Sequence, residues 1–277
     1  MKTGRRTVAA AAFVAALGLS VLNAPTAQAA DTGIIVSDLV INDNGKSIVV
    51  GTTKRVYPTF TFNLTLPAGY STADPFRYDV FVYLYHGDLK GKAVKDGENI
   101  IPPSGTTCYE RDAKHARCEG ELFIDPHPTK YSVDSNSDAT TWKTAIGLTL
   151  FTRDDQLKTH ETETRPYTVQ LKRAARTTTN ATPEPVSKGK KVTVTGKVTR
   201  ANWSTKKYDA YSGRTVSLQF RAKGAKTYKT LKKATSNGTG NLKTTVTAGV
   251  DGYYRWVYYG NSTTGSATST ADYVDVR

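Results

Sequence analysis

Four histidines, two cysteines and a scatter of carboxylates are the groups in this chain with chemistry to offer. His86, His115, His127 and His160 stand on separate segments, and none shows the close or helical spacing by which imidazoles converge on zinc. Serine catalysis needs a Gly-x-Ser-x-Gly turn to present the hydroxyl, and the chain has none. Asp154-Asp155 and Glu161/Glu163 fall in predicted turns and strand ends, where solvated charge is the ordinary role, so spacing assigns no acid and base pair. Asp134-Ser135-Asn136-Ser137-Asp138 imitates the start of a calcium loop, with oxygen side chains at alternate positions. The sixth loop position is Ala139 rather than Gly and the twelfth is Ala145 rather than Glu. A polar turn is therefore the expectation, with weak calcium binding by Asp134, Asn136 and Asp138 as the alternative. No catalytic residue, metal or cofactor is expected, and the remaining enzymatic alternative is a hydrolase in the first half using His and Asp brought together by folding.

The cysteines point to compartment rather than to catalysis. Cys108 and Cys118 are the only two and lack Cys-x-x-Cys spacing, so in an exported chain they most simply form one disulfide stapling a hairpin or loop. Export is what the N-terminus predicts. Met1 to Ala29 combines Lys2, Arg5 and Arg6, an apolar run from Val8 to Leu22, and Ala27-Gln28-Ala29, the anatomy of a cleaved secretory signal. Arg5-Arg6 is a weak twin-arginine match, so the sequence leaves the route open. The apolar run is short for a membrane span and no other long apolar segment follows, so the expected location is extracellular or cell-wall associated.

Charge divides what remains into two domains. Residues 31–170 carry 15 Lys and Arg against 19 Asp and Glu, a net of −4, whereas 171–277 carry 20 against 5, a net of +15. The chain is thus read as a signal at 1–29, an acidic domain at 30–170 with the disulfide, and a basic domain at 171–277. Such asymmetry favours contact between the second half and an anionic surface or polymer. Nucleic acid would answer to the same charge, but export makes it an incidental partner rather than a specific one.

The elements that must position these groups are strands. Apolar content is 38%, with 16 Tyr, 22 Gly and many Thr and Val, a composition of strands joined by turns. In the first half, Gly33 to Asn42 and Ser47 to Val50 read as a hairpin around Asp43-Asn44-Gly45. Tyr57 to Leu66 alternates Phe60, Phe62 and Leu64 against polar residues, and Tyr78 to Tyr85 is apolar on both faces, so it should be covered on both. Further strands are predicted near Ile100, Glu121 to Ile124, Trp142 to Thr152 and Thr164 to Leu171. A loop is expected at Gly87 to Gly97, and the Cys108–Cys118 loop and the long connection from Pro126 to Thr141 are the least regular parts. Seven or eight strands of this kind make a sandwich.

In the second half, Thr177 to Val186, with Pro183 and Pro185, reads as a stiff extended lead-in or edge strand that allows some hinge motion. Strands follow at Val192 to Thr199, Thr215 to Ala222, Tyr228 to Lys233, Asn241 to Ala248, Tyr253 to Tyr259 and Ala271 to Val276, making the seven of an immunoglobulin-like sandwich. Gly189-Lys-Lys-Val-Thr-Val-Thr-Gly-Lys-Val198, Ala201-Asn-Trp203, Gly213 to Arg221, Gly252-Tyr-Tyr-Arg255 and Asp272 to Arg277 resemble an immunoglobulin-like module common in secreted actinobacterial proteins. The resemblance covers about the last hundred residues, implies compartment and fold, and brings no catalytic residues; the first half resembles no known family. The fold expectation for the whole chain is all-β, two immunoglobulin-like β-sandwich domains after the signal.

Parity assigns faces within that module. Val216, Leu218 and Phe220 fall on one side of their strand, turning Ser217, Gln219 and Arg221 outward. Tyr254, Trp256 and Tyr258 form the bulkier uncharged set and are assigned inward, leaving Tyr253, Arg255, Val257 and Tyr259 outside. With Tyr273 and Arg277 alongside, the expected ligand face is Arg221, Tyr253, Arg255, Tyr259, Tyr273 and Arg277, suited to stacking on sugars or holding anionic groups. Ordinary cross-strand pairing would account for the same residues without a ligand. Trp203, with Tyr208 and Tyr211 nearby, either plugs one end of the sandwich or offers a platform.

Together these features favour a non-enzymatic secreted binding or adhesion protein of the envelope or matrix, its basic domain on anionic cell-wall polymer or glycan and its acidic domain open to a second protein. The alternative is a secreted protease inhibitor whose Cys108–Cys118 loop presents Arg111, Lys114 and Arg117 as a substrate mimic.

Overall fold

A computed structural model describes residues 31–90, 99–127 and 133–277. The signal at 1–29, much of the loop at 87–97 and part of the connection at 126–141 lie outside the described residues. Among the described residues nine strands form the first unit: β1 Ile35–Ile41, β2 Ile48–Val50, β3 Thr59–Thr65, β4 Tyr78–Tyr85, β5 Ile100–Ile101, β6 Pro103–Glu110, β7 His115–Leu122, β8 Thr141–Phe151 and β9 Leu157–Arg173. They make one sheet ordered β1-β3-β7-β6 and a second ordered β2-β9-β8-β4-β5. Ten short strands follow: β10 Ala175–Thr177, β11 Asn180–Thr182, β12 Lys191–Asn202, β13 Lys207–Ala210, β14 Thr215–Ala222, β15 Lys229–Thr235, β16 Asn241–Thr247, β17 Gly252–Tyr258, β18 Ala267–Thr268 and β19 Asp272–Val274. Here β10, β11, β13 and β16 all pair with β12, facing a sheet ordered β15-β14-β17 that β18 and β19 complete. Both units are two-sheet sandwiches of immunoglobulin-like strand order, antiparallel in their strand pairs except for β2 with β9, so the described chain is all-β as its composition predicts.

Period-two alternation does most of the sorting. Phe60, Phe62 and Leu64 of β3 are buried while their neighbours face outward. Val192, Val194 and Val198 of β12 are buried likewise. On β4, Val82 and Leu84 join the first core, while Tyr83 and Tyr85 are buried on the opposite face under Leu89 and Ile100, so both faces are covered. Cys108 and Cys118 stand directly opposite each other on β6 and β7 and are disulfide-bonded.

The hairpin expected at Asp43-Asn44-Gly45 does not form. Asn42, Asp43, Asn44 and Gly45 all take left-handed conformations, with φ of 44°, 50°, 62° and 80°. Four such residues in a row turn the chain away from β1's sheet, and β2 pairs in parallel with β9 in the other one. Asn, Asp and Gly are the residues that enter this region at least cost, so composition located the turn but not its hand. The supposed hinge at 177–186 is also corrected: β10 and β11 bind it to β12, and Val186 bridges Val276.

The units meet without a free linker. Strand β9 runs to Arg173, past the 170/171 division drawn from charge, and β10 begins at Ala175. Burial parity on β12 switches after Val198, so that Ala201 and Trp203 leave the second core and join the first. Trp203 is fully buried there, its indole N–H donating to the carbonyls of Gly51 at 2.9 Å and Val50 at 3.3 Å. Asn136 completes the clasp by donating to Asn202 Oδ1 at 2.9 Å and accepting from the Trp203 amide at 3.0 Å. Trp203 is thus a plug, seated in the neighbouring sandwich rather than its own.

A candidate anion-binding face

Strands β14, β17 and β19 lie side by side and bring the outward residues of the second unit into rows. Gln219 stands opposite Arg255, Arg221 opposite Tyr253, and Tyr253 opposite Tyr273. The inward set Tyr254, Trp256 and Tyr258 is buried as parity predicts. Trp256 packs where Gly196 leaves room, since a Cβ on Gly196 would lie 2.6 Å from the indole, and its N–H donates to Thr195 O at 3.0 Å. Two expected surface positions are corrected: Val257 and Ser217, paired with each other, are both buried.

The outward residues form a continuous strip. The Arg255 guanidinium lies 3.6 Å from the Tyr228 ring centroid, and that of Arg221 lies 5.2 Å from the same ring and 4.4 Å from Tyr253. Tyr253 and Tyr273 are 5.1 Å apart, and Lys223 stands 5.6 Å from Tyr273. At the other end, Gln219 accepts from Arg255 Nε at 2.9 Å and donates to the Tyr259 hydroxyl at 3.2 Å. The structure therefore brings together Arg221, Tyr253, Arg255, Tyr259 and Tyr273. Arg277 is not among them: its guanidinium is bound to Asp275 at 2.8 Å, and its backbone is tied to Val186 and Lys188. Strand β19 ends at Val274, so pairing stops before parity can carry Arg277 onto the strip.

Charge on the strip is uneven. Asp251 takes hydrogen bonds from the Val276 amide and Tyr273 and an ion pair from Lys223, which together hold its carboxyl below the usual range. Arg221 and Arg255 form no ion pair among the described residues. Both guanidiniums are held by stacking and by single hydrogen bonds, Arg255 to Gln219 and Arg221 to Ala225 O at 2.8 Å. Stacking of this kind is worth about 0.5–1 kcal/mol at exposed sites and leaves in-plane N–H groups for a carboxylate or phosphate fork. Tyr228 and Gln219 are the parts that sequence reasoning missed. Tyr228 precedes β15, whose register with β14 slips at Leu218/Gln219, so counting alternate residues could not place it.

The histidines stay apart. His86 lies 3.5 Å from Asp138 and edge-on to Trp142, His115 pairs with Asp112, His127 with Asp125, and His160 with Thr149. Among the described residues no three His, Cys, Asp or Glu side chains are placed to hold a metal ion. Asp138 closes a capping turn on the amides of Asp134 and Ser135, and Asn136 serves the clasp, so both side chains of the calcium-like segment are engaged within the protein. Asp125 is the most perturbed carboxyl of the first unit. Burial opposes its charge, but the His127 amide and imidazole and the Arg55 guanidinium outweigh that and lower it to about 2. Glu161 accepts from Thr32, and Glu163 pairs with Arg165.

The disulfide-stapled segment is a paired hairpin folded onto the domain. Lys114 Nζ donates to Pro67 O at 2.6 Å and to Tyr70 O, and Arg117 reaches Thr61 at 2.7 Å and Asn63 at 3.3 Å. Of the three basic residues expected there, only Arg111 has a side chain without such a tether among the described residues, an arrangement that does not favour a protruding substrate mimic.

At the junction, Arg200 and Arg214 lie 4.2 and 4.9 Å from the Tyr211 ring, and the hydroxyl of Tyr211 meets Thr264 and Asn261. Burial would raise that hydroxyl's pKa, but hydrogen bonds with Thr264, Tyr258 and Asn261 and the charge of Arg200 bring it below the usual tyrosine value. Nearby Arg173 is lowered to about 10 by burial and by Arg200.

No protein-family model matches the chain, and no curated protein matches it. Solved structures do. Fibronectin(III)-like modules of Clostridium thermocellum CbhA are 10% identical, with 86% of this chain and 92% of that chain covered at a TM-score of 0.31. The D00-D0 domain of intimin is 13% identical, with 87% and 99% covered at 0.27, and BcpA, the major pilin subunit of Bacillus cereus, is 10% identical, with 83% and 59% covered at 0.25. The fold itself rests on the strand order described above. No helix among the described residues is long and apolar enough to cross a membrane.

Proposed function

We propose that this is a secreted, non-enzymatic binding protein of the cell envelope or extracellular matrix whose second unit holds an anionic polymer or glycan on the Tyr/Arg strip. One observation carries the reading: Arg221 and Arg255 share the ring of Tyr228, and neither has a carboxylate partner among the described residues. Two like charges side by side repel, and holding them there without an acid favours an external anion as the missing partner. The acidic first unit, net −4, would be repelled by the same polymer and is left for a second protein. Disulfide formation and the signal-like N-terminus support an extracellular setting.

The test is retention of the full chain on an immobilised polyanion across a salt gradient. Binding that weakens as salt rises and is reduced by Arg221→Ala or Arg255→Ala supports the reading. Retention unchanged by both substitutions would refute the strip as its centre.

A further inference from the structure

The strip occupies one sheet of the second unit, and the other sheet carries a groove of its own. It has a volume of about 750 Å³ and runs between the break that separates β10 from β11, the middle of β12, the start of β16, and the end of β15 with the turn after it at Thr235 and Asn237. The break is built in. Thr178 keeps its amide on Lys197 O at 3.0 Å but takes the Lys197 amide on its hydroxyl, also at 3.0 Å, in place of its carbonyl, and Thr179 turns its hydroxyl to the Trp256 amide at 3.1 Å. Gly196 lies under the break, where a Cβ would come within 2.3 Å of Thr178 O. The groove's floor is thus fixed by the packing of Trp256 beneath it.

The groups facing it are amides, hydroxyls and two ammonium groups. Thr195 stands opposite Lys243 and Lys197 opposite Asn241, which puts Lys197 and Lys243 on one diagonal of neighbouring strands. Diagonal neighbours of this kind lie about 7–8 Å apart at Cα, close enough to bracket one anionic group. Neither lysine forms an ion pair among the described residues, and the side-chain amides of Asn180 and Asn241 make no hydrogen bond there. Donors and acceptors of this mixture suit a hydroxyl-rich chain that also carries charge, and no aromatic ring lines the groove to stack on a neutral sugar.

We infer that this groove is a second ligand site, taking an acidic glycan or polyol phosphate with its anionic group between Lys197 and Lys243 and its hydroxyls on Asn180 and Asn241. The site is separate from the Tyr/Arg strip, because it is centred on the β12 sheet, reaches the strip's sheet only at Thr235 at the end of β15, and shares no residue with the strip.

The experiment is a titration of isotope-labelled protein, residues 31–277, with polyglycerol phosphate, polyglucuronate and neutral dextran, followed by NMR. Polyanion should shift the side-chain amides of Asn180 and Asn241 and the backbone amides of residues 178–180 and 197. A Lys197→Ala/Lys243→Ala variant should raise the concentration needed by at least about tenfold, the loss expected when the charge-assisted contacts of a site are removed. Arg255→Ala should leave those shifts intact while weakening any at the strip, so failure of one site is separable from failure of the other. Tighter binding of either polyanion supports the site and assigns its anion as phosphate or carboxylate. Shifts confined to the strip, groove shifts unaffected by the lysine substitutions, or dextran binding as tightly as the polyanions would overturn it.

Discussion

Single side chains decide both halves of the functional reading. Tyr228→Ala should weaken polyanion binding as Arg255→Ala and Tyr259→Ala do, by about 1 kcal/mol or more each, because it removes the ring on which two guanidiniums rest. Thermal stability should move less, since none of these side chains leaves a core cavity. Trp256→Ala should instead cost about 3 to 5 kcal/mol in chemical denaturation, the range for a fully buried indole. Asp125 predicts an acid limb. Its folded pKa, about 2, is depressed from 3.8, so its contribution is complete above the unfolded value and is lost as pH falls from about 4 toward 2. Asp125→Asn should flatten stability against pH across that window, and a wild-type curve already flat there would remove the claim. At this scale the sequence was informative wherever parity ran unbroken: Tyr254, Trp256 and Tyr258 are inward, and Tyr253, Arg255 and Tyr259 are not. It could not show that a bulge brings Tyr228 beneath two arginines, because that neighbour is set by register between strands.

Elements were legible where local pattern determines them and opaque where a partner strand does. Alternation located β3, β4, β12, β14 and β17, yet β1 and β2 look like a hairpin in sequence and belong to different sheets. A two-residue primed turn and a run of left-handed residues draw on the same Asn, Asp and Gly, so only the pairing of β2 with β9 separates them. The β6–β7 hairpin was readable through its cysteines. Replacing Cys108 and Cys118 by Ala should cost about 2 to 3 kcal/mol, as expected for a short closed loop of sequence separation 10. The loss should appear as a lower unfolding midpoint, with the β-sheet circular dichroism of the native state preserved; an unchanged midpoint would deny the staple any part in stability.

Over the whole molecule, the charge division read from sequence locates the candidate anion sites but not the joint between the units. Trp203 resembled an end plug or a platform for its own sandwich, and the residues that receive it, Val50 and Gly51, lie more than 150 positions earlier. No pattern local to either segment could have matched them. A fragment ending at Arg173 should therefore be less stable than the same unit in the full chain, because its core lacks the indole. Trp203→Ala in the full chain should reproduce the loss, by about 3 to 5 kcal/mol, with hydrogen exchange faster around β2. Equal unfolding midpoints for fragment and full chain would show that the first core closes without it.

Under the proposed tethering of a polymer at one end and a partner at the other, the chain would work under tension, and the clasp would determine how a pull is carried. Two sandwiches on a slack linker would first straighten, absorbing extension at little force. Here a load passing between the units meets a buried indole, a bidentate amide bridge and β-strands separated by only Ala174, so the pair should transmit force as one stiff lever. Yielding would begin with withdrawal of Trp203, and that step would open the first unit's core while the second unit kept its own.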